Sequence, residues 1–146
     1  MFGGYGEAAM LWRGAVYPGR RARAKPLLTP EKRPVTYPLL MDEVTDATFD
    51  AEVLASEVPV IVEFGAPWCR PCKAIEPVLV EIANGAAGRL RLVKLDIDTS
   101  LGTPSRYGVL SIPTVILFVG GEARETLIGP HGKGRYERTF APYLDA

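Results

Sequence analysis

The chain has 146 residues, 47% of them hydrophobic and 23% charged, which is the size and composition of one globular domain. No run of 18 apolar residues occurs, so the sequence predicts no transmembrane helix and no membrane partner. The net charge is zero, but residues 1–40 carry seven basic and two acidic side chains, whereas residues 41–146 carry ten basic and fifteen acidic ones. The acidic balance of the larger part argues against nucleic-acid binding.

Residues 1–40 differ from the rest of the chain. They contain five of the thirteen prolines, a cluster of basic residues between Arg20 and Lys25, and no serine. We predict a disordered extension here and a folded domain over residues 41–146. Three explanations stay open for the extension: a gene start assigned upstream of Met41, a transit peptide, against which the missing serine argues, or a basic tail for an acidic partner.

The first half of the folded part predicts two helices around a buried strand. Thr45 and Asp46 offer caps for a first helix, behind which apolar residues recur at helical spacing. The run 58–64 is short, β-branched and almost wholly apolar, which is typical of a central strand. A helix is predicted over 69–83, with a kink at Pro77.

The second half predicts three strands and two helices. In chain order these are a strand at 89–96, a short helix at 104–107, strands at 114–119 and 123–128 joined by Gly120-Gly121, and a helix at 133–144. The order from residue 41 is therefore βαβαβαββα. Strands that alternate with helices before a terminal hairpin predict an α/β fold, with a central mixed sheet flanked by helices.

The chain has only two cysteines, Cys69 and Cys72. At this spacing they can form a reversible disulfide, supply half of a metal site, or have no special role. Zinc needs about four ligands and the only histidine is His131, so we expect no metal. No signal peptide is apparent, and we therefore expect a reducing, cytoplasmic location, with organelle targeting by residues 1–40 as the alternative.

The position of the cysteines favours redox chemistry. Both stand where a strand leads into a helix, and the free N–H groups at a helix N terminus stabilise a thiolate. Cys69 is then the attacking thiol, and Cys72, one turn later and less exposed, is the resolving thiol.

Several motifs in order resemble the thioredoxin family. Residues 68–73 read Trp-Cys-Arg-Pro-Cys-Lys, which is similar to the family's WCGPCK signature with Arg70 in place of glycine. Residues 60–64 and 94–98 are similar to the family's two central strands, and 107–114 to its YGV..IPT segment. The resemblance covers about residues 42–146 and implies a thioredoxin fold.

The resemblance also implies how substrate binds. Pro113 would be a cis-proline facing the dithiol, which exposes the backbone of Ile112 for pairing with an extended substrate strand. Trp68 would shield the site and provide an apolar contact surface.

Other residues are implied to support the chemistry. Glu63 would be a buried carboxylate beneath Cys72 that relays its proton, and Lys94 its charged neighbour. The family usually has aspartate at that position and tryptophan where Gly65 stands, so the chain departs from the pattern twice. Arg70 and Pro71, between the cysteines, would support the dithiol, and the Arg70 cation should make the couple more oxidising.

These features together predict a protein-disulfide reductase of the thioredoxin type. The resemblance implies protein disulfides as substrates, regeneration by a flavin-dependent thioredoxin reductase using NADPH, and a monomer. No nucleotide-binding glycine motif occurs, so we expect no cofactor. The alternatives are a disulfide oxidant or isomerase, and a non-catalytic thioredoxin-like binding module.

Overall fold

The computed structural model describes residues 41–144, and the predicted extension at 1–40 lies outside that range. The strands within it are β1 Asp42–Val44, β2 Val60–Gly65, β3 Arg91–Asp96, β4 Thr114–Val119 and β5 Glu122–Ile128. The helices are α1 Asp50–Leu54, a π-helical turn, α2 Arg70–Gly85, α3 Gly102–Arg106 and α4 Lys133–Leu144. The predicted order βαβαβαββα is confirmed.

The strands form one mixed sheet in the order β1-β3-β2-β4-β5. β3 runs parallel to both β1 and β2, whereas β4 runs antiparallel to β2 and to β5. Every residue of β2 is buried, which explains its nearly continuous apolar sequence. The thioredoxin fold implied by the sequence motifs is therefore confirmed.

Helices cover both faces of the sheet because successive side chains of a strand point to opposite sides. On one face, Ile61 of β2 packs with α2 and α4, whose buried residues include Leu79 and Phe140. On the other face, Val62 and Phe64 pack with buried residues of the α1 side. By this alternation Glu63 and Gly65 lie on the α2 side, beneath the helix that carries the cysteines.

The start of the domain differs from the sequence prediction in its caps. Asp46 does not cap α1, whose N-cap residue is Phe49 with no side-chain hydrogen bond. Its carboxylate instead accepts hydrogen bonds from the N–H groups of Gly102 and Thr103, at 2.9 and 2.8 Å, and so caps α3. A hydrogen bond from the Thr103 side chain, together with these two backbone bonds, holds the pKa of Asp46 below its usual value. The prediction that Asp46 caps the first helix is therefore wrong, because its partner Gly102 is 56 positions away in sequence and is brought close only by the fold.

The other boundaries lie within about two residues of the predicted ones. α2 begins one residue later than predicted and continues to Gly85, with Pro77 inside it. α4 also contains a proline, Pro142, and still continues to Leu144. None of the helices between residues 41 and 144 is long and apolar enough to cross a membrane.

Candidate active site

The cysteines lie at the point where β2 leads into α2. Cys69 is the N-cap residue of α2, with an extended backbone at φ −81° and ψ 106°. Its N–H donates to the carbonyl oxygen of Ala66 at 3.0 Å, which closes the turn after the strand. Its Sγ accepts a hydrogen bond from the N–H of Cys72 at 3.3 Å, so the sulfur occupies the place of a capping oxygen. In the reduced protein this position favours a thiolate.

Cys69 and Cys72 form a disulfide bond, with their Cα atoms 5.3 Å apart. Both are buried, with 4% of Cys69 and 1% of Cys72 exposed. They cluster with Ala66 and pack against Ile97 and Ile112, which are partly buried. The pair is therefore set into an apolar rim, and Cys69 is the more exposed of the two sulfur residues.

Arg70 and Pro71 are the first two residues of α2, and both are exposed. A proline fits this position because the N–H groups of a helix's first turn have no partner within the helix. Arg70 follows the N-cap cysteine directly, so the chain carries a permanent positive charge in the first turn of α2.

The loop opposite the cysteines contains a cis peptide bond between Ile112 and Pro113, the conformation that the resemblance implied. Two hydrogen bonds hold this loop in place. The hydroxyl of Thr114 donates to the carbonyl of Ser111 at 2.7 Å, and the N–H of Gly129 donates to the carbonyl of Pro113 at 2.8 Å. Ile112 itself packs against the cluster that contains the two cysteines.

Trp68 has two thirds of its surface exposed, next to Cys69. Its indole Nε1–H donates to a carboxylate oxygen of Asp98 at 2.8 Å, which anchors the ring to the segment that follows β3. Sequence reasoning missed Asp98, although it stands in a segment already recognised as similar to the family. It also missed Leu110, which is 97% exposed two residues before Ile112.

Glu63 is a charged residue in the centre of the sheet. It pairs with Lys94 of β3 and with Val115 of β4, and only 1% of its surface is exposed. Its Oε1 is buried and has no hydrogen-bond partner within residues 41–144. Burial raises the pKa of Glu63 to about 7; the nearby Glu76 also raises it, and Lys94 lowers it. The expected charged neighbour is thus present and partly opposes the effect of burial.

A cavity of about 400 Å³ opens beside this carboxyl group. Its walls include the side chains of Glu63, Lys73, Glu76, Lys94 and Asp96, together with Gly65. Glu63 thus lines a cavity with several charged residues, a place from which a proton can be exchanged.

The described range contains no cluster of three or more histidine, cysteine, aspartate or glutamate residues that could hold a metal ion.

Comparison with known proteins agrees with this geometry. Residues 41–141 match the Thioredoxin family model. The chain is 41% identical over 139 residues to the M-type chloroplastic thioredoxin of Chlamydomonas reinhardtii, covering 94% of this chain and 99% of that protein. It is 42% identical over 102 residues to Thioredoxin 1 of Nostoc sp., covering 70% and 95%. It is 49% identical over 86 residues to the chloroplastic Thioredoxin M2 of Arabidopsis thaliana, covering 59% of this chain and 46%, less than half, of that protein.

Proposed function

Because the chain belongs to the thioredoxin family and is a thiol–disulfide oxidoreductase of protein disulfides, we propose that Cys69 is its attacking thiol and Cys72 its resolving thiol. The observation that carries this assignment is the N-cap position of Cys69, whose sulfur receives the N–H of Cys72. A negative charge on this sulfur is stabilised by that N–H and by the helix dipole, whereas Cys72 lies inside the first turn and is almost fully buried.

The first step forms a mixed disulfide. The Cys69 thiolate attacks one sulfur of a substrate disulfide, a bond forms between that sulfur and Sγ of Cys69, and the substrate's S–S bond breaks. The second substrate sulfur leaves as a thiolate and takes a proton from water. Ile97 and Ile112, which pack against the cysteine cluster, offer an apolar surface against which the substrate can pack.

The second step releases the reduced substrate. Glu63 takes the proton from the Cys72 thiol, and the resulting thiolate attacks Sγ of Cys69. The bond to the substrate breaks, the Cys69–Cys72 disulfide forms, and the dithiol has given two electrons to the substrate. A carboxyl group with a pKa of about 7 suits this transfer because it can hold or release a proton near neutral pH. Lys94 tunes that pKa by its opposing charge.

Substrate binding is assigned to the exposed surface around the disulfide. Trp68 offers an apolar face anchored by Asp98, and the cis bond before Pro113 turns the backbone of Ile112 toward an extended substrate strand. Arg70 and Pro71 support the dithiol at the start of α2.

The remaining parts of the proposal concern partners and location. We assign regeneration of the dithiol to a flavin-dependent thioredoxin reductase, with the protein acting as a monomer in a reducing compartment such as the cytoplasm. Relatives named chloroplastic make organelle import the alternative location. Cell fractionation combined with N-terminal sequencing of the native protein decides between them, and the same sequencing tests whether residues 1–40 belong to the mature chain.

The assignment of the two thiols is tested by insulin reduction with dithiothreitol as the electron donor. Cys69→Ser should lose activity entirely. Cys72→Ser should attack once and remain bound to its substrate, which intact mass measurement detects as a mixed disulfide. A mixed disulfide on Cys69→Ser instead would reverse the two roles. A wild-type protein that binds disulfide proteins without reducing them would favour a binding module.

A further inference from the structure

Gly65 is the last residue of β2 and lies on the same face of the sheet as Glu63. An added Cβ at Gly65 would come within 2.7 Å of Oε1 of Glu63, closer than Cβ atoms approach other atoms in proteins. It would also lie 3.1 Å from Sγ of Cys72. The carboxyl oxygen therefore occupies the space that any side chain at position 65 would fill, and the resolving sulfur borders the same space.

No hydrogen bond holds the carboxyl oxygen in this place. Oε1 of Glu63 has no partner within residues 41–144, although 99% of the residue's surface is buried. Its position is set by the packing around it, including the absence of a side chain on Gly65. Cys72 is less free to move, because it is a buried residue in the first turn of α2. A methyl group at position 65 would consequently displace the carboxyl group rather than the sulfur.

The cavity beside Glu63 offers a place for the displaced group. Its charged walls combine the cations Lys73 and Lys94 with the acids Glu43, Glu76 and Asp96, and its volume of about 400 Å³ leaves room for water to solvate the displaced carboxyl group. The backbone of Gly65 does not have a positive φ, so alanine is compatible with its conformation. The effect of the substitution would therefore come from the contact with Glu63 and not from backbone strain.

We propose that Gly65 is a positioning residue, whose missing side chain allows the long side chain of Glu63 to place its carboxyl group beside the Cys72 sulfur. This inference rests on the proposed role of Glu63 in the second step. It adds that Glu63 and Gly65 act as a pair, since the longer acid needs the space that only glycine leaves. An aspartate at position 63 would withdraw its carboxyl group by one methylene and would not need that space.

The two reaction steps can be measured separately with Ellman's reagent, an aromatic disulfide. Attack by Cys69 releases the first equivalent of coloured thiolate, and the resolving attack by Cys72 releases the second. Stopped-flow absorbance between pH 5 and 9 then gives a rate for each step. A general base contributes on the order of 100-fold or more to such a transfer, so its displacement should cost a large part of that factor.

The expected result for Gly65→Ala is a second step at least about tenfold slower at pH 7, with the first step within about twofold of wild type. Its pH profile should move to lower pH, because burial is the main cause of the raised pKa of Glu63 and the displaced carboxyl group moves toward the open cavity. Gly85→Ala, on the same helix as Cys72 but with open space around its Cβ, is the matched control and should change neither step.

A double-mutant cycle separates positioning from a general disturbance of the site. In a Glu63→Asp background, Gly65→Ala should slow the second step less than about threefold, because the shorter acid leaves room for the methyl group. Equal slowing in both backgrounds would overturn the pairing, as would an unchanged second step in Gly65→Ala alone. The double variant lacks the contact between the methyl group and the carboxyl group, so it can still be measured if Gly65→Ala alone folds poorly.

Glu63→Gln distinguishes the role of Gly65 as a positioning residue from the proposed role of Glu63 as the proton acceptor. A slower second step in Glu63→Gln together with a normal one in Gly65→Ala would remove the role of Gly65 and leave Glu63 as the proton acceptor. A normal second step in Glu63→Gln would overturn both.

Discussion

Replacing Glu63 by glutamine should change how the stability of the oxidised protein depends on pH. The folded protein holds the Glu63 proton up to a pKa of about 7, whereas the unfolded chain releases it near the usual value of 4.5. Between these values the unfolded chain binds fewer protons, so raising the pH favours unfolding. The wild-type protein should therefore lose stability from about pH 4.5 to 7, and the glutamine variant should lack this part of the loss.

The size of the effect follows from the two pKa values. One pH unit corresponds to about 1.4 kcal/mol, so the interval between 4.5 and about 7 corresponds to about 3 kcal/mol. Stabilities of small domains are about 5–15 kcal/mol, which makes this a large fraction. The buried amide of the variant also changes the free energy of unfolding, but by an amount that does not depend on pH. The quantity to compare is therefore how the difference in free energy of unfolding between the two proteins changes with pH.

Denaturation by guanidinium chloride at several pH values from 4.5 to 8.5, with the disulfide intact, measures this difference. The free energy of unfolding of Glu63→Gln, relative to that of wild type, should increase by about 3 kcal/mol across this pH range. Glu57→Gln, which changes an exposed carboxyl group, is the control and should track wild type. If the curves of wild type and Glu63→Gln run parallel, Glu63 does not titrate as an isolated buried acid, and the reasoning is wrong.

Two further predictions concern the surface around the disulfide. Arg70→Gly should lower the reduction potential by on the order of 20 mV in a redox titration, since about 1 kcal/mol of thiolate stabilisation is lost; no shift, or a rise, would contradict this. Asp98→Ala should raise the KM for a protein substrate about two- to fivefold while leaving the reaction with Ellman's reagent unchanged, because the indole loses its anchor. Trp68→Phe, which removes the five-membered ring of the indole together with its N–H donor, should give a similar KM. If the effects of Asp98→Ala and Trp68→Phe on KM are additive in the double variant, the hydrogen bond is not their common cause.

Much of the fold could be predicted because local signals in this chain agree with one another. The run 60–64 is buried on both faces of the sheet, so its sequence alone indicates a central strand. The turn at Gly120 and Gly121, both with positive φ, is of the kind that joins two antiparallel strands. Helix ends were less accurate because capping depends on which groups lie nearby in space. Asp46 shows this clearly, since its partners Gly102 and Thr103 are brought to it only by the folded sheet.

The candidate site shows the same division between local and long-range information. The cysteine motif and the proline loop were recognisable because each is a short segment with its own chemistry. The contact between Trp68 and Asp98 joins residues 30 positions apart, and nothing in either segment alone indicates it. Glu63 and Gly65 are only two positions apart, yet in the sequence they appear as separate departures from the family pattern. Their connection is steric and needs the position of the Cys72 sulfur.

The buried acid ties the activity of the protein to its stability. A carboxyl group that accepts the Cys72 proton must lie close to a buried sulfur, and the same burial raises its pKa and makes its ionised form costly. Solvation of Glu63 by water or a closer Lys94 would stabilise the folded protein above pH 7, but would also lower the basicity that the second step needs. The absence of a side chain on Gly65 allows the carboxyl group to stay buried, where its pKa is raised at the expense of stability. The stability lost between about pH 4.5 and 7 and the rate of the resolving step are therefore two consequences of one position of one carboxyl group.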